Sequence, residues 1–362
     1  MAASSDRIPW WAWAWPALAW AVLVGMALGG SGAITAAAAG AVLIATVFAA
    51  VYHAEVIAHR TGEPFGTLVL ALAVTVIEAA LIVSVMLAAP AEKAGLARDT
   101  VFAAVMIVCN GIVGLCLLVG GARHGEQGFQ VRGAAAALAV LATLATLALV
   151  LPNYTLGKAG PVFTPAQLVF VGVVSLVLYG VFVFVQTIRH RDYFLSAAAP
   201  DEDAEPALRP SVGVTFASLA LLVVALAAVV LLAKTLSPAL QAAVDAAGLP
   251  AAVVGVAIAA LVLMPEGLAA VRAARADRLQ TSLNLALGSA LATIGLTIPT
   301  VAAVSLLLGF ELVLGLDARD TVLLVLTLFV AVLTLGTGRT TVLQGAVHLV
   351  IFAVFLFLAA SP

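Results

Sequence analysis

The sequence contains few charged residues. Only 9% of its 362 residues are charged, whereas 64% are hydrophobic; a soluble domain carries about a quarter of its residues charged. Such a chain cannot cover its whole surface with water-facing groups, so most of that surface must face lipid. The net charge is −2 and no basic stripe is present, which gives no indication of a nucleic-acid partner.

Cysteine and the motifs of common enzymes are also scarce. The two cysteines, Cys109 and Cys116, lie in one apolar run, a pattern typical of inert membrane thiols rather than of a disulfide or a metal site. The sequence has no phosphate-binding loop, no HExxH motif and no recognisable Ser/His/Asp set. We therefore predict that the protein is not an enzyme, is not driven by ATP and uses no cofactor.

Long apolar runs are what the sequence has in abundance. A bilayer core needs about 20 apolar residues per helix, and the runs lack the period-two alternation of barrel strands. We therefore predict an all-α membrane protein with about 11 transmembrane helices, the first of them retained rather than cleaved as a signal peptide. The predicted spans are 10–29, 31–52, 66–88, 100–120, 133–151, 166–187, 212–233, 250–271, 282–309, 321–335 and 341–359.

The polar connections predict the topology. If the N-terminus is cytoplasmic, eleven of the 16 Lys and Arg residues lie on the cytoplasmic side, which favours an inner (plasma) membrane protein with its C-terminus outside. The longest polar segment, 188–210, is then a cytoplasmic acidic linker. It separates an extra first helix (1–30) and a five-helix repeat (31–187) from a second five-helix repeat (211–362). An odd number of spans per repeat makes the two repeats inverted.

Two glutamates lie inside these spans. An ionisable group in the membrane costs several kcal/mol, and Glu78 and Glu266 occupy the second span of each predicted repeat. The plain alternatives are interhelical hydrogen bonding or pairing with a buried cation, but neither span has a central Lys or Arg. We therefore predict that both carboxylates bind the transported cation and protons.

Other polar residues are candidates for a supporting role at this site. Thr75 shares a helix face with Glu78, and Pro265 with Gly267 predicts a local helix break that frees backbone carbonyls beside Glu266. For the asparagines, interhelical hydrogen bonding is an equally good interpretation. The full supporting set is Thr75, Asn110, Pro265, Ser282, Asn284 and Ser289.

The chemistry of two carboxylates indicates an exchange mechanism. Ionised carboxylates facing each other in a low-dielectric site repel, which favours protonation of at least one. A divalent cation between them relieves the same repulsion, so protons and Ca²⁺ compete for the pair. Alternating access then gives Ca²⁺/H⁺ antiport; a monovalent Na⁺ or K⁺/H⁺ antiporter and a cation channel are the alternatives.

Several further features of the sequence have two interpretations each or a minor role. His53 and His59 cluster with Glu55 and Glu63 at the cytoplasmic end of the second span. They form either a solvated helix end or an entry vestibule or regulatory metal site. His348 is expected to be packed or hydrogen-bonded. The acidic cluster 201–205 is either a flexible tether or a cation-concentrating patch, and the Gly25/Gly29 spacing is a weak indication of a homo-oligomer.

At its polar segments the chain resembles the calcium/proton exchanger (CAX) family of the cation/calcium exchanger superfamily, especially its bacterial ChaA-like branch. The resemblance rests on "HAEVIAHRTGEPFGTLVLALAVTVIEAALIVSVMLA", "ARDTVFAAVMIVCNGIVGLCLLVGG" and "RLQTSLNLALGSALATIGLTIP". It implies an extra first helix, two inverted repeats and cation binding at Glu78 and Glu266. Many members place a Gly-Asn pair before each glutamate, where this chain has "VTVIE" and "VLMPE". The branch is associated with Na⁺ and K⁺ as well as Ca²⁺.

Overall fold

The described part of the protein is almost entirely helical. The structure is a computed structural model, and it describes residues 8–29, 32–62, 65–88, 94–195, 210–250 and 252–361. These residues form the helices α1 (Trp10–Ala27), α2 (Ala33–Thr61), α3 (Phe65–Ala88), α4 (Leu96–Met106), α5 (Val113–His124), α6 (Val131–Ala145), α7 (Pro165–Phe184), α8 (Val212–Ala246), α9 (Ala252–Arg275), α10 (Leu279–Ala292), α11 (Ile298–Leu308), α12 (Ala318–Leu335) and α13 (Val342–Ala360).

Eleven of the described helical segments are long and apolar enough to cross a membrane, which confirms the predicted number of spans. The chain is therefore a multi-pass membrane protein. Two spans each consist of two α-helices joined by a π-helical segment. Ile107–Ile112 joins α4 to α5, and Thr293–Thr297 joins α10 to α11.

Two helices extend further than the sequence predicted. The second span was predicted to end at residue 52 and the seventh at residue 233, but α2 continues to Thr61 and α8 to Ala246. Both predictions stopped at the first polar residues. A helix satisfies its own backbone hydrogen bonds, so it continues wherever its polar side chains are exposed, as Lys234 of α8 is, or hydrogen-bonded to a neighbour, as the buried His53 of α2 is. The end of the apolar run therefore underestimates the length of these helices.

The helices group into two compact units that do not follow the order of the chain. The first unit contains α1, α2, α3 and α8, and the second contains α4 to α7 with α9 to α13. Each unit thus draws helices from both predicted repeats, and the division at 31–187 and 211–362 stays a prediction. The acidic cluster 201–205 of the predicted linker lies outside the described residues.

In the first unit α2 is the central helix and packs against α1, α3 and α8. Side chains attach α1 to its neighbours through hydrogen bonds to backbone carbonyls. The indole of Trp20 donates to the carbonyl of Val224 in α8 over 3.2 Å. The hydroxyl of Thr46 in α2 donates mainly to Val42 over 2.7 Å and lies 3.4 Å from the carbonyl of Trp15.

In the second unit α13 packs closely against α5, and α9 packs against α4, α5 and α10. Glycines permit the closest approach. A methyl group at Gly114 of α5 would lie 2.9 Å from Cβ of His348 in α13. A two-residue antiparallel pair, β1 (Gln127–Gly128) with β2 (Arg339–Thr340), joins the connections at the ends of α5 and α12.

Candidate functional site

Glu78 lies on the buried face of α3. The residue is 2% exposed, and Thr75, one turn earlier on the same face, is 4% exposed. The opposite face of α3 carries Leu72 and Val76, which are 59% and 42% exposed. The carboxylate therefore lies on the side of α3 that is shielded by protein, opposite the exposed face.

Glu266 has a similar setting on α9. Its helical neighbours Val262, Leu263 and Ala270 are buried, whereas Leu268 on the other face is 43% exposed. The residue itself is partly buried, and its Oε2 atom is shielded completely. This carboxylate therefore lies on the more buried side of α9, away from the exposed face that carries Leu268.

The two glutamates occupy matching positions along their helices. Both α3 and α9 are 24 residues long; Glu78 lies 13 residues after Phe65, and Glu266 lies 14 residues after Ala252. The nearby Arg272 does not place Glu266 at a helix end, because α9 continues to Arg275. Each carboxylate is thus near the middle of a membrane-spanning helix. That the two face each other across a shared site stays a prediction.

Pro265 does not break α9. The helix runs without interruption from Ala252 to Arg275, so the predicted local break is wrong. Proline still lacks the N–H that would bond to the carbonyl of Leu261 in a regular α-helix. One backbone oxygen a turn before Glu266 is therefore left without its usual helical donor, although the helix stays continuous.

Asn110 is a member of a buried polar network in the second unit. Its Nδ2 atom donates to Oγ1 of Thr327 in α12 over 2.8 Å, and its Oδ1 atom lies 3.1 Å from Nδ1 of His348 in α13. The other ring nitrogen of His348 lies 3.1 Å from Oγ1 of Thr334. The prediction that His348 is packed or hydrogen-bonded is confirmed.

Asn284 bonds to backbone and to another amide. Its Nδ2 atom donates to the carbonyl of Phe194 over 2.6 Å, and its Oδ1 atom accepts from Gln280 over 2.9 Å. Gln280 in turn accepts from the backbone N–H of Gln130. Asn284 therefore attaches the segment after α7 to α10. This agrees with the interpretation that the residue makes structural hydrogen bonds.

The other predicted supporting residues differ in their surroundings. Ser282 is completely buried beside Cys116 of α5, whereas Ser289 is only partly buried. Thr293 and Thr297, one and two turns after Ser289, are buried in the π-helical segment. The two cysteines are buried and unbridged.

The histidines at the end of α2 do not form a cluster, and Glu63 lies outside the described residues. His53 is completely buried and bonds to the carbonyl of Ala12 in α1, whereas His59 is exposed and bonds to the carbonyl of Glu55 in its own helix. The solvated-end interpretation is thus correct for His59 and wrong for His53. Among the residues that the structure describes, no three His, Cys, Asp or Glu side chains could jointly hold a metal ion.

Three features of this region were missed by sequence reasoning. They are the π-helical segments Ile107–Ile112 and Thr293–Thr297, and the participation of Thr327 and Thr334 in the Asn110 network. π-Helical turns inside α-helices are frequent at functional sites, but no sequence signal marks them. The spacing of seven residues between Thr327 and Thr334, two helical turns, could have indicated a shared face of α12.

A family model matches most of the chain. The model of the sodium/calcium exchanger protein family matches residues 31–188 and 217–360. These segments contain α2 to α7 and nearly all of α8 to α13, including both glutamates.

Two relatives are similar over most of their length. A protein of Sinorhizobium fredii named as an ionic transporter, y4hA, is 54% identical over 365 residues, which cover 99% of this chain and 98% of that protein. The sodium-potassium/proton antiporter ChaA of Escherichia coli K12 is 36% identical over 316 residues, covering 87% of this chain and 85% of ChaA.

Solved structures show the same fold at low identity. Native YfkE superposes with a TM-score of 0.74 at 16% identity, covering 96% of this chain and 99% of YfkE. The H⁺/Ca²⁺ exchanger CAX gives 0.72 at 16% identity, covering 96% of this chain and 87% of that one. The chain therefore has a cation-exchanger fold.

Proposed function

The chain belongs to the sodium/calcium exchanger family, and on this premise we propose that it is a secondary active antiporter that exports small cations in exchange for protons. Its partners would be the transported ions and the lipid bilayer, and such an exchange needs no prosthetic group. An inward proton gradient across the inner membrane would supply the driving force.

The observation that carries this proposal is the matching placement of Glu78 and Glu266. Each is the glutamate near the middle of a 24-residue membrane helix, and each lies on that helix's buried face. Ionisable residues at this depth are expensive, and those in transporters commonly mark ion or proton pathways. If each glutamate had only an unrelated packing role in its own helix, such similar positions would not be expected.

The proposed mechanism follows from the charge of these side chains. With both carboxylates ionised, the site attracts a cation; with protons bound, its attraction for the cation is lost. Cation and protons therefore occupy the site in alternation. If the protein opens the site to one side of the membrane at a time, each cation that leaves is exchanged for protons that enter.

We propose Na⁺ and K⁺ as the first substrates. Calcium requires six to eight oxygen ligands, and the side-chain oxygens of Asn110 and Asn284 already accept hydrogen bonds from His348 and Gln280. The ChaA relative, 36% identical, is named for Na⁺ and K⁺. Calcium is the second candidate, because two ionised carboxylates carry the two negative charges that balance a divalent cation.

Proteoliposomes with an entrapped pH-sensitive dye test the proposal. NaCl, KCl and CaCl₂ are added separately under an imposed proton gradient, and proton movement is recorded for the wild type and for Glu78→Gln and Glu266→Gln. We expect Na⁺ and K⁺ to trigger proton movement in the wild type and neither to do so in the two variants. A response to calcium alone would replace Na⁺ and K⁺ with Ca²⁺ as the substrate.

The matched control is Glu126→Gln. Glu126 is exposed and pairs with Arg339 over 3.7 Å, an ion pair of the kind that contributes little, so this variant should exchange like the wild type. Exchange by Glu78→Gln or Glu266→Gln at the wild-type rate would disprove the shared-carboxylate mechanism. Cation flux with no proton movement in the wild type would instead identify a channel.

A further inference from the structure

The network around His348 has a defined hydrogen-bonding direction. Asn110 donates through Nδ2 to Thr327, so its carbonyl oxygen, which can only accept, faces Nδ1 of His348. Nδ1 must therefore carry the imidazole hydrogen. The opposite nitrogen, Nε2, then accepts from the hydroxyl of Thr334. A neutral imidazole satisfies every contact in this chain of groups.

The network is fully enclosed. Asn110, Thr327 and His348 are 0% exposed and Thr334 is 5% exposed. Its other polar contacts include the sulfur of Met106, 3.3 Å from the hydroxyl of Thr327 and 3.8 Å from Nδ2 of Asn110, and a hydrogen bond between His348 and the backbone of Cys109. A buried network with all its groups satisfied fixes the relative position of the segments that supply it. Here those segments are the π-helical segment Ile107–Ile112, α12 and α13.

The same π-helical segment contacts the helix that carries Glu266. A methyl group at Gly267, the next residue, would lie only 3.1 Å from Cδ1 of Ile112, so α9 and the π-helical segment approach closely at this point. On its other side the segment contacts α13, where a methyl group at Gly111 would lie 3.2 Å from the ring of Phe352. The segment is thus held between α13 and the residue that follows Glu266.

We propose that His348 is a positioning residue for the cation site. As a neutral imidazole it bonds to Asn110 and thereby holds the segment Ile107–Ile112 against Gly267, which fixes the backbone that presents the Glu266 carboxylate. His348 touches neither the cation nor a transported proton. The inference rests on the proposed antiport and assigns one determinant of its cation affinity.

Two substitutions of His348 separate positioning from proton transfer. The amide of Gln in His348→Gln can donate to Asn110 and accept from Thr334, whereas His348→Leu keeps a similar volume and makes neither bond. In the proteoliposome assay with NaCl and KCl, we expect His348→Leu to raise the cation KM about fivefold, the effect of losing one buried hydrogen bond, with the maximal rate less affected. His348→Gln should retain the wild-type KM and the wild-type dependence of exchange on pH.

Thr334→Val provides a second, milder variant in case His348→Leu fails to insert. It removes only the hydroxyl that bonds to Nε2 and keeps the side-chain shape, so we expect a smaller rise in KM in the same direction. A wild-type KM in whichever of His348→Leu and Thr334→Val inserts into the membrane would overturn the proposal. Loss of proton movement in His348→Gln would overturn it in favour of a proton-carrying histidine. A wild type without any cation/proton exchange would instead reject the proposed function.

Discussion

The ring of His53 donates a hydrogen bond from Nε2 to the carbonyl oxygen of Ala12 over 3.0 Å. In a regular α-helix that oxygen accepts from the N–H four residues later, but the residue there is Pro16, which has no N–H. A side chain of α2 therefore supplies the donor that α1 lacks. This bond, buried between the two helices, helps to attach the first helix to the first unit.

Removing His53 should weaken that attachment. We expect His53→Ala to lower the free energy of unfolding by about 1 to 3 kcal/mol, the cost of leaving a buried carbonyl unsatisfied, measured as a lower melting temperature in detergent. The double variant His53→Ala/Pro16→Ala should recover part of the loss, because the N–H of the new alanine can bond to Ala12. Equal melting temperatures for the single and double variants would refute this explanation; the exposed His59→Ala is the control.

Thr75 should contribute an oxygen beside Glu78. Its hydroxyl is buried and has no hydrogen-bond partner among the described residues, and it lies one turn from the carboxylate. Thr75→Val keeps the shape and removes the oxygen, so we expect the cation KM for proton-coupled exchange to rise about fivefold. Thr75→Ser should retain the wild-type KM.

The control for that experiment is the neighbouring Val76, which is 42% exposed on the opposite face. Val76→Thr adds a hydroxyl outside the first unit and should not change the KM. An unchanged KM in Thr75→Val would show that Thr75 has no part in cation binding.

Asn284 should affect stability rather than cation affinity. Asn284→Ala leaves the carbonyl of Phe194 without its 2.6 Å donor, and we expect the free energy of unfolding to fall by about 1 kcal/mol. Both the melting temperature and the cation KM would be measured in the same preparation. A large rise in KM with an unchanged melting temperature would make Asn284 a ligand after all.

Close packing of α13 on α5 gives a fourth prediction. A Cβ atom at Gly345 would overlap the backbone of Leu118 and lie 2.8 Å from the carbonyl oxygen of Gly114. We expect Gly345→Ala to lower the free energy of unfolding by about 1 to 3 kcal/mol, because the two helices must move apart. Gly180→Ala in α7 is the matched control, since nothing lies within 4 Å of its added Cβ, and its melting temperature should not fall.

The amide side chains show why the predicted supporting residues could be identified but their roles could not. Asn110 and Asn284 were correctly identified as polar residues inside spans. Their partners are residues that lie far away along the chain: Thr327 is 217 residues from Asn110, and Phe194 is 90 residues from Asn284. No local pattern encodes such pairings.

The sequence by itself determined the membrane class of the protein, the number of its spans and the depth of Glu78 and Glu266 within them. Each of these depends on local properties, because a helix in lipid satisfies its own backbone and needs only enough apolar residues to cross. The tertiary structure alone decided that α8 packs with α1 to α3, that Pro265 leaves α9 unbroken and that His53 bonds to Ala12. These outcomes depend on which helices become neighbours, and contacts between distant segments establish that choice.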